Sequence, residues 1–170
     1  MKKIIFLSLL SLSLFSSPEA TDKFDVGMQY LLGEGVAQDK HKAFTYLSES
    51  AEMGNAQAAY NLALMYYLGD GVKQDTAKSL ALLEKSAQQG YEKAIENIGR
   101  IAMQLMKFDK ALKWLKINAK NGDIKANYLI SEIYVMREDY KNAKIYAKKA
   151  IDLGDNDARN LWREYKLSNF

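Results

Sequence analysis

The chain has 170 residues, with 24 basic and 21 acidic side chains, no cysteine and one proline. Without cysteine it can use no disulfide, and its core must hold it together unaided. The near-balanced charge gives no electrostatic case for nucleic acid or an anionic membrane surface. A sequence rich in Ala, Leu, Lys, Glu and Gln and almost free of proline favours helix throughout.

Residues 1–20, "MKKIIFLSLLSLSLFSSPEA", have the layout of a secretory signal peptide. Lys2 and Lys3 form the basic start, Ile4 to Phe15 the apolar run, and Ser16 to Ala20 the small-residue stretch. The run is short of the roughly 20 residues of a spanning helix. Cleavage is expected after Ser16 or after Ala20, with Pro18 standing where a small residue is preferred for the second bond. With no cysteine to acylate, a lipid anchor is not expected. The implied location is the periplasm or outside the cell, with no stable membrane insertion after cleavage. The mature chain would carry 22 basic and 20 acidic residues.

From residue 21 the chain repeats itself. Gly54, Gly90, Gly122 and Gly154 each follow an alanine-containing helical stretch, at spacings of 36, 32 and 32 residues. The first two units share a phrase: "YLLGEGVAQDK" from Tyr30 returns as "YYLGDGVKQDT" from Tyr66. Units of about 21–54, 55–90, 91–122 and 123–154 follow, with a C-terminal capping helix over 155–170.

Each unit reads as two helices. In the second, Ala59, Leu62, Ala63 and Tyr66 form one apolar face, and Ala77, Leu80, Ala81, Leu83 and Ala87 form the face of the helix that follows. The glycines close second helices in a left-handed conformation. Asn55, Asp75 and Asp123 are placed to cap the next helix. Gly33-Glu34-Gly35 and Gly69-Asp70-Gly71 are turns between antiparallel helices. They lack both the Gly-Lys-Ser/Thr ending of a phosphate loop and the preceding strand of a dinucleotide site. Val36 and Val72 are expected to tuck back as apolar plugs. The last two units drop this loop and turn tightly at "MKFDKALKW" and "MREDYKNAKIY".

These residues carry a family resemblance. The pattern "A-x-A-x-x-x-L-A-x-x-Y-x-x-G-x-G-V-x-x-D", followed by "S-L-x-L-L-x-K-S-A-x-x-G", resembles the Sel-one-like repeat, a relative of the tetratricopeptide repeat. It is close to full length over residues 55–90 and good over 24–54. Residues 91–122 and 123–154 are closer to tetratricopeptide spacing. The resemblance implies an all-α solenoid, a right-handed superhelix of antiparallel helix pairs that serves as a scaffold for partners. It does not fix an activity.

Catalytic chemistry finds little to work with. His41 is the only histidine and stands between two lysines, with no second ligand grouped near it in sequence, so no metal or cofactor site is expected. No serine begins a nucleophile motif. The pairs Glu49/Glu52 and Glu92/Glu96 are read as surface residues of lysine-rich helices rather than a glycosidase dyad. The resemblance instead implies concave-face positions on the first helices: Gln57, Tyr60, Leu64, Tyr67 and Leu68; then Lys93, Glu96, Arg100, Met103 and Gln104; then Lys125, Tyr128, Glu132, Val135 and Met136. Phe24, Met28, Leu31 and Leu32 hold the corresponding positions of the first unit. Aromatic, aliphatic and Arg side chains flanked by charge suit a protein or peptide partner. The leading expectation is therefore a non-enzymatic, exported scaffold. An immunity-type inhibitor of a toxic effector, an enzyme acting on cell wall or β-lactam, and self-assembly through terminal helices stand as alternatives.

Overall fold

The computed structural model describes residues 17–170. The basic and apolar parts of the expected leader therefore lie outside the described residues, and only its last residues, 17–20, fall within them. Every regular element described is helical: α1 Pro18–Leu32, α2 Lys40–Glu52, α3 Ala56–Leu68, α4 Thr76–Gln88, α5 Glu92–Gln104, α6 Phe108–Lys120, α7 Ile124–Met136, α8 Tyr140–Asp152 and α9 Asn156–Glu164. A 3-10 turn, Leu167–Asn169, ends the chain. The fold is an all-α solenoid of helix pairs. The chain divides into two compact units, one ending at Ala94 and the other running Ile95–Phe170, with the division falling inside α5.

In the first unit α1 packs on α2 and α3 on α4. Ala43, Leu47, Ala51, Ala58, Ala59, Leu62 and Met65 form its core. Hiding one leucine such as Leu47 is worth about 1.5–3 kcal/mol, and each pair offers few such residues, so neighbouring pairs must share a core. The helix ends are built from the expected chemistry. Asn55 and Asp75 cap α3 and α4 through backbone N–H groups at 3.0–3.1 Å. Asp39 does the same for α2. Gly71 stands at φ +68, and a Cβ there would lie 2.6 Å from the Lys40 carbonyl oxygen, so the loop needs glycine both for its backbone and for its approach to α2. The Lys40 ammonium meets Asp70 of the same loop at 2.6 Å.

Two expectations are corrected here. Ala77 and Ala81 are exposed; α4 instead buries Ser79, Leu80, Leu83, Ser86 and Ala87. The serines hid this face, because each looks like a surface residue. Ser86 Oγ in fact donates to the Ala56 carbonyl at 2.6 Å. Val72 packs on the core as expected, but Val36 is exposed.

In the second unit the chain turns tightly, as the shorter spacing implies. With no glycine available, Met106 and Glu138 take the left-handed conformation themselves, at φ +55 and +58. Asp123, Asp139 and Asp155 cap α7, α8 and α9. Gly99 lets α5 approach α6 closely: a Cβ there would stand 2.8 Å from Leu115 Cγ. Val135, Ala143, Ala147, Leu161 and Leu167 form a core beneath α9. Val135, expected on the partner face, is one of these core residues and is 7% exposed. The end of the chain is more than the lone helix read from sequence. After α9 it turns through Lys166 at φ +49, buries Leu167 and stacks Phe170 on Tyr140 with ring centroids 4.8 Å apart.

Candidate interaction site

The first helices of the second unit carry a ladder of paired polar side chains. Arg100 on α5 meets the α7 cap residue Asp123 at 3.1 Å. In the first turn of α7, Lys125 meets Asp157 of α9 at 2.7 Å and lies over the Tyr128 ring, 5.6 Å from its centroid. One further turn along α7, Tyr128 is hydrogen-bonded to Glu132. Spacings of three and four residues place Lys125, Tyr128 and Glu132 on one stripe of α7. The caps thus do two jobs: Asp123 holds the start of α7 through Lys125 N–H at 2.9 Å and anchors Arg100.

Electrostatics single out the middle of this stripe. Burial pushes the Glu132 carboxyl above the usual carboxylate range, against the lowering effects of the Tyr128 hydrogen bond and of Lys125. Burial, together with the Glu132, Asp157 and Asp155 carboxylates, pushes the Tyr128 phenol up to about 12. Lys125 is held above its ordinary value by Asp157.

Of the other expected positions in this unit, Glu96 is exposed, Met103 is half-buried and Met136 is exposed. Sequence reasoning named Arg100, Tyr128 and Glu132 but missed Asp123 and Asp157 as their companions. Acidic residues at the starts of α7 and α9 were the available signal.

In the first unit, α3 presents Gln57 and Leu68 in the open, while Tyr60, Leu64 and Tyr67 are half-buried. Tyr60 packs edge-on to Tyr91, with centroids 5.3 Å apart. Lys93 is exposed. On α1, Phe24, Met28 and Leu31 pack on the core, leaving Leu32 open.

Sequence reasoning missed a second feature. A groove of about 530 Å³ lies between second helices α6 and α8, rimmed by Lys116, Lys120 and Lys149, with Ile130 and Ala119 in its floor. A smaller one, about 280 Å³, lies between α2 and α4 over Leu62 and Ala51. Ala51 and Leu62 become Ala119 and Ile130 at a constant offset of 68 residues, so the repeat writes the same groove twice. The rim changes: Ser48 and Glu52 in the first are Lys116 and Lys120 in the second.

Among the described residues, no group of His, Cys, Asp and Glu is arranged to hold a metal ion. No helix among them is long and apolar enough to cross a membrane.

Stacked helical hairpins with polar stripes define a repeat scaffold. The Sel1 repeat family model matches residues 23–55, 56–91, 107–123 and 126–155, more than half of the chain, and the chain belongs to that family. Sel1 repeats generally build non-catalytic protein-interaction scaffolds. Among solved structures, a Sel1 repeat protein from Oxalobacter formigenes is similar at 26% identity and a TM-score of 0.65, over 82% of this chain and 60% of that one. A protective antigen of uropathogenic Escherichia coli with an SLR fold is similar at 28% identity and 0.66, over 87% of this chain and 34% of that one. This chain therefore spans less than two thirds of either structure. An immunity protein from Pseudomonas aeruginosa matches at 20% identity and a TM-score of 0.38, over 85% of this chain and 69% of that one, which carries no argument about role. No curated protein matches.

Proposed function

We propose that this protein is an exported repeat scaffold that binds a protein or peptide partner on the first-helix stripe of its second unit. The observation that carries the reading is the half-buried Glu132 beside Tyr128, framed by the Arg100–Asp123 and Lys125–Asp157 pairs. A carboxylate losing hydration to burial is destabilised unless donors replace the water. In the free protein Tyr128 is the donor at hand, and a partner bringing a cationic or N–H donor to Glu132 would relieve the remaining cost. The ion pairs hold Arg100 and Lys125 in place, so less side-chain freedom is lost on binding than for mobile chains. Aromatic and Arg side chains are also those that dominate interface energetics. The α3 stripe of Gln57, Tyr60, Leu64, Tyr67 and Leu68 is a second contact region, of aromatic and aliphatic side chains. Export is supported by the basic, apolar and small-residue order of residues 1–20.

The test is affinity for a partner recovered from an envelope extract, measured with purified components. Tyr128→Ala or Arg100→Ala should each weaken binding about tenfold or more, the ~1.4 kcal/mol or above expected at a central contact. Unchanged affinity in both variants refutes the assignment.

A further inference from the structure

We propose that export processing cuts the peptide bond between Ser16 and Ser17, so that the mature chain begins at Ser17. This rests on the export reading above. The sequence leaves two bonds open, after Ser16 and after Ala20. Each has a small residue at the cut, and neither has one three positions into the leader, where Leu14 and Pro18 stand.

The folded contacts separate the two bonds. Ser17 is extended, and its Oγ accepts a hydrogen bond from Ala20 N–H at 3.1 Å, which makes it the N-cap of α1. Pro18 occupies the first helical turn, where its missing N–H costs nothing, and acidic Glu19 shares that turn. A Ser-Pro-Glu start is a helix-start signal that the leader reading had absorbed.

Ala20 is fully buried. Its carbonyl accepts from the buried Ser50 Oγ at 2.5 Å and from Asn55 Nδ2 at 3.5 Å. The same hook recurs 36 residues later, where Ser86 Oγ donates to the Ala56 carbonyl. Ala20 therefore holds the place in the first helix pair that Ala56 holds in the second pair. A residue in that register belongs to the folded domain, not to the leader.

Cutting after Ala20 would remove the cap, the proline and the acceptor together. It would leave Ser50 without its partner. It would also disturb Asn55, whose Oδ1 caps α3. Cutting after Ser16 removes none of these. A peptidase of the export pathway adds water across the Ser16–Ser17 amide; Ser16 leaves as a carboxylate with the leader, and Ser17 N becomes an ammonium. Glu19 and Asp22 lie close in sequence to offset that charge.

The experiment expresses the full chain in a bacterium with a working export system, purifies the folded product, and reads its intact mass and N-terminal peptide. A start at Ser17 is the expected result. A start at Thr21 overturns this inference and leaves export standing, whereas an uncut chain starting at Met1 overturns both. In parallel, chains made to begin at Ser17 and at Thr21 are melted. The shorter one should lose about 4 °C or more in Tm, and equal values would overturn the structural argument.

Discussion

Placing a methyl group on Gly99 probes how closely the paired helices lie. Two effects oppose each other in Gly99→Ala. Alanine is the better helix former by about 0.8–1.0 kcal/mol, so on propensity alone the variant is more stable. Against this, the new Cβ would stand 2.8 Å from Leu115 Cγ, 2.9 Å from its Cδ2 and 3.2 Å from its backbone N–H nitrogen. Cγ cannot swing away as a chain end can, and Leu115 is fully buried. Overpacking of this kind costs about 1–3 kcal/mol. The net expectation is a loss of roughly 0.5–2 kcal/mol, or about 1–8 °C in Tm for a chain of this size. Thermal melting by circular dichroism measures it. The double variant Gly99→Ala/Leu115→Ala tests the cause: with the opposing Cγ and Cδ2 removed, the alanine at 99 should be less costly than it is in the wild-type background. A Tm above wild type for Gly99→Ala alone would refute the close approach of α5 and α6. Gly27 faces Leu47 in the same way in the first unit, with distances of 2.9–3.2 Å, and should behave alike.

Met106→Gly and Glu138→Gly should each stabilise. Both residues are exposed and sit at positive φ, where a side chain costs about 1 kcal/mol that exceeds the added freedom of an unfolded glycine; the expected gain is about 0.5 kcal/mol each, and a lower Tm would contradict it. Glu132→Gln removes a charge beside Tyr128, so the phenol should titrate below the wild-type value of about 12 while burial, the larger cause, still holds it above 10, as followed by the ring Cζ chemical shift in NMR; an unmoved titration would discount the contact. The Asp139 carboxyl is held below its ordinary value by the Asn142 side chain and backbone N–H. A depressed acid stabilises above its unfolded pKa and loses that contribution as pH falls through its folded pKa. Wild type should therefore lose Tm relative to Asp139→Asn between about pH 5 and pH 2, and a constant gap over that range would contradict the sign.

Much of the architecture was legible because repetition amplifies weak signals. Gly54, Gly90, Gly122 and Gly154 all adopt positive φ, and Asn55, Asp75 and Asp123 all cap helices as their spacing implies. What escaped was chemistry that depends on a neighbour. Ser50, Ser86 and Asn118 look like surface residues in sequence, yet each is buried and donates to the backbone of a preceding helix. Gly27 and Gly99 look like helix weaknesses until Leu47 and Leu115 are placed against them. Ala77 and Ala81 fitted an apolar stripe but lie outside it, because small residues satisfy a periodic pattern without needing burial. The ladder was half legible: Arg100, Tyr128 and Glu132 came from repeat register, while Asp157 comes from α9, whose register the final incomplete unit did not reveal. The grooves between second helices were missed because their walls come from residues far apart in sequence, although the repeat register returns them at an offset of 68 residues.

The most direct test of the first-helix stripe as the working surface is position-specific photocrosslinking in living cells. A photoreactive residue replaces Tyr128 in one variant, Arg100 in a second, and Lys149 on the groove between α6 and α8 in a third. The account predicts the same partner adduct from positions 128 and 100 and none from 149. An adduct formed only from 149, or from none of the three, would contradict it.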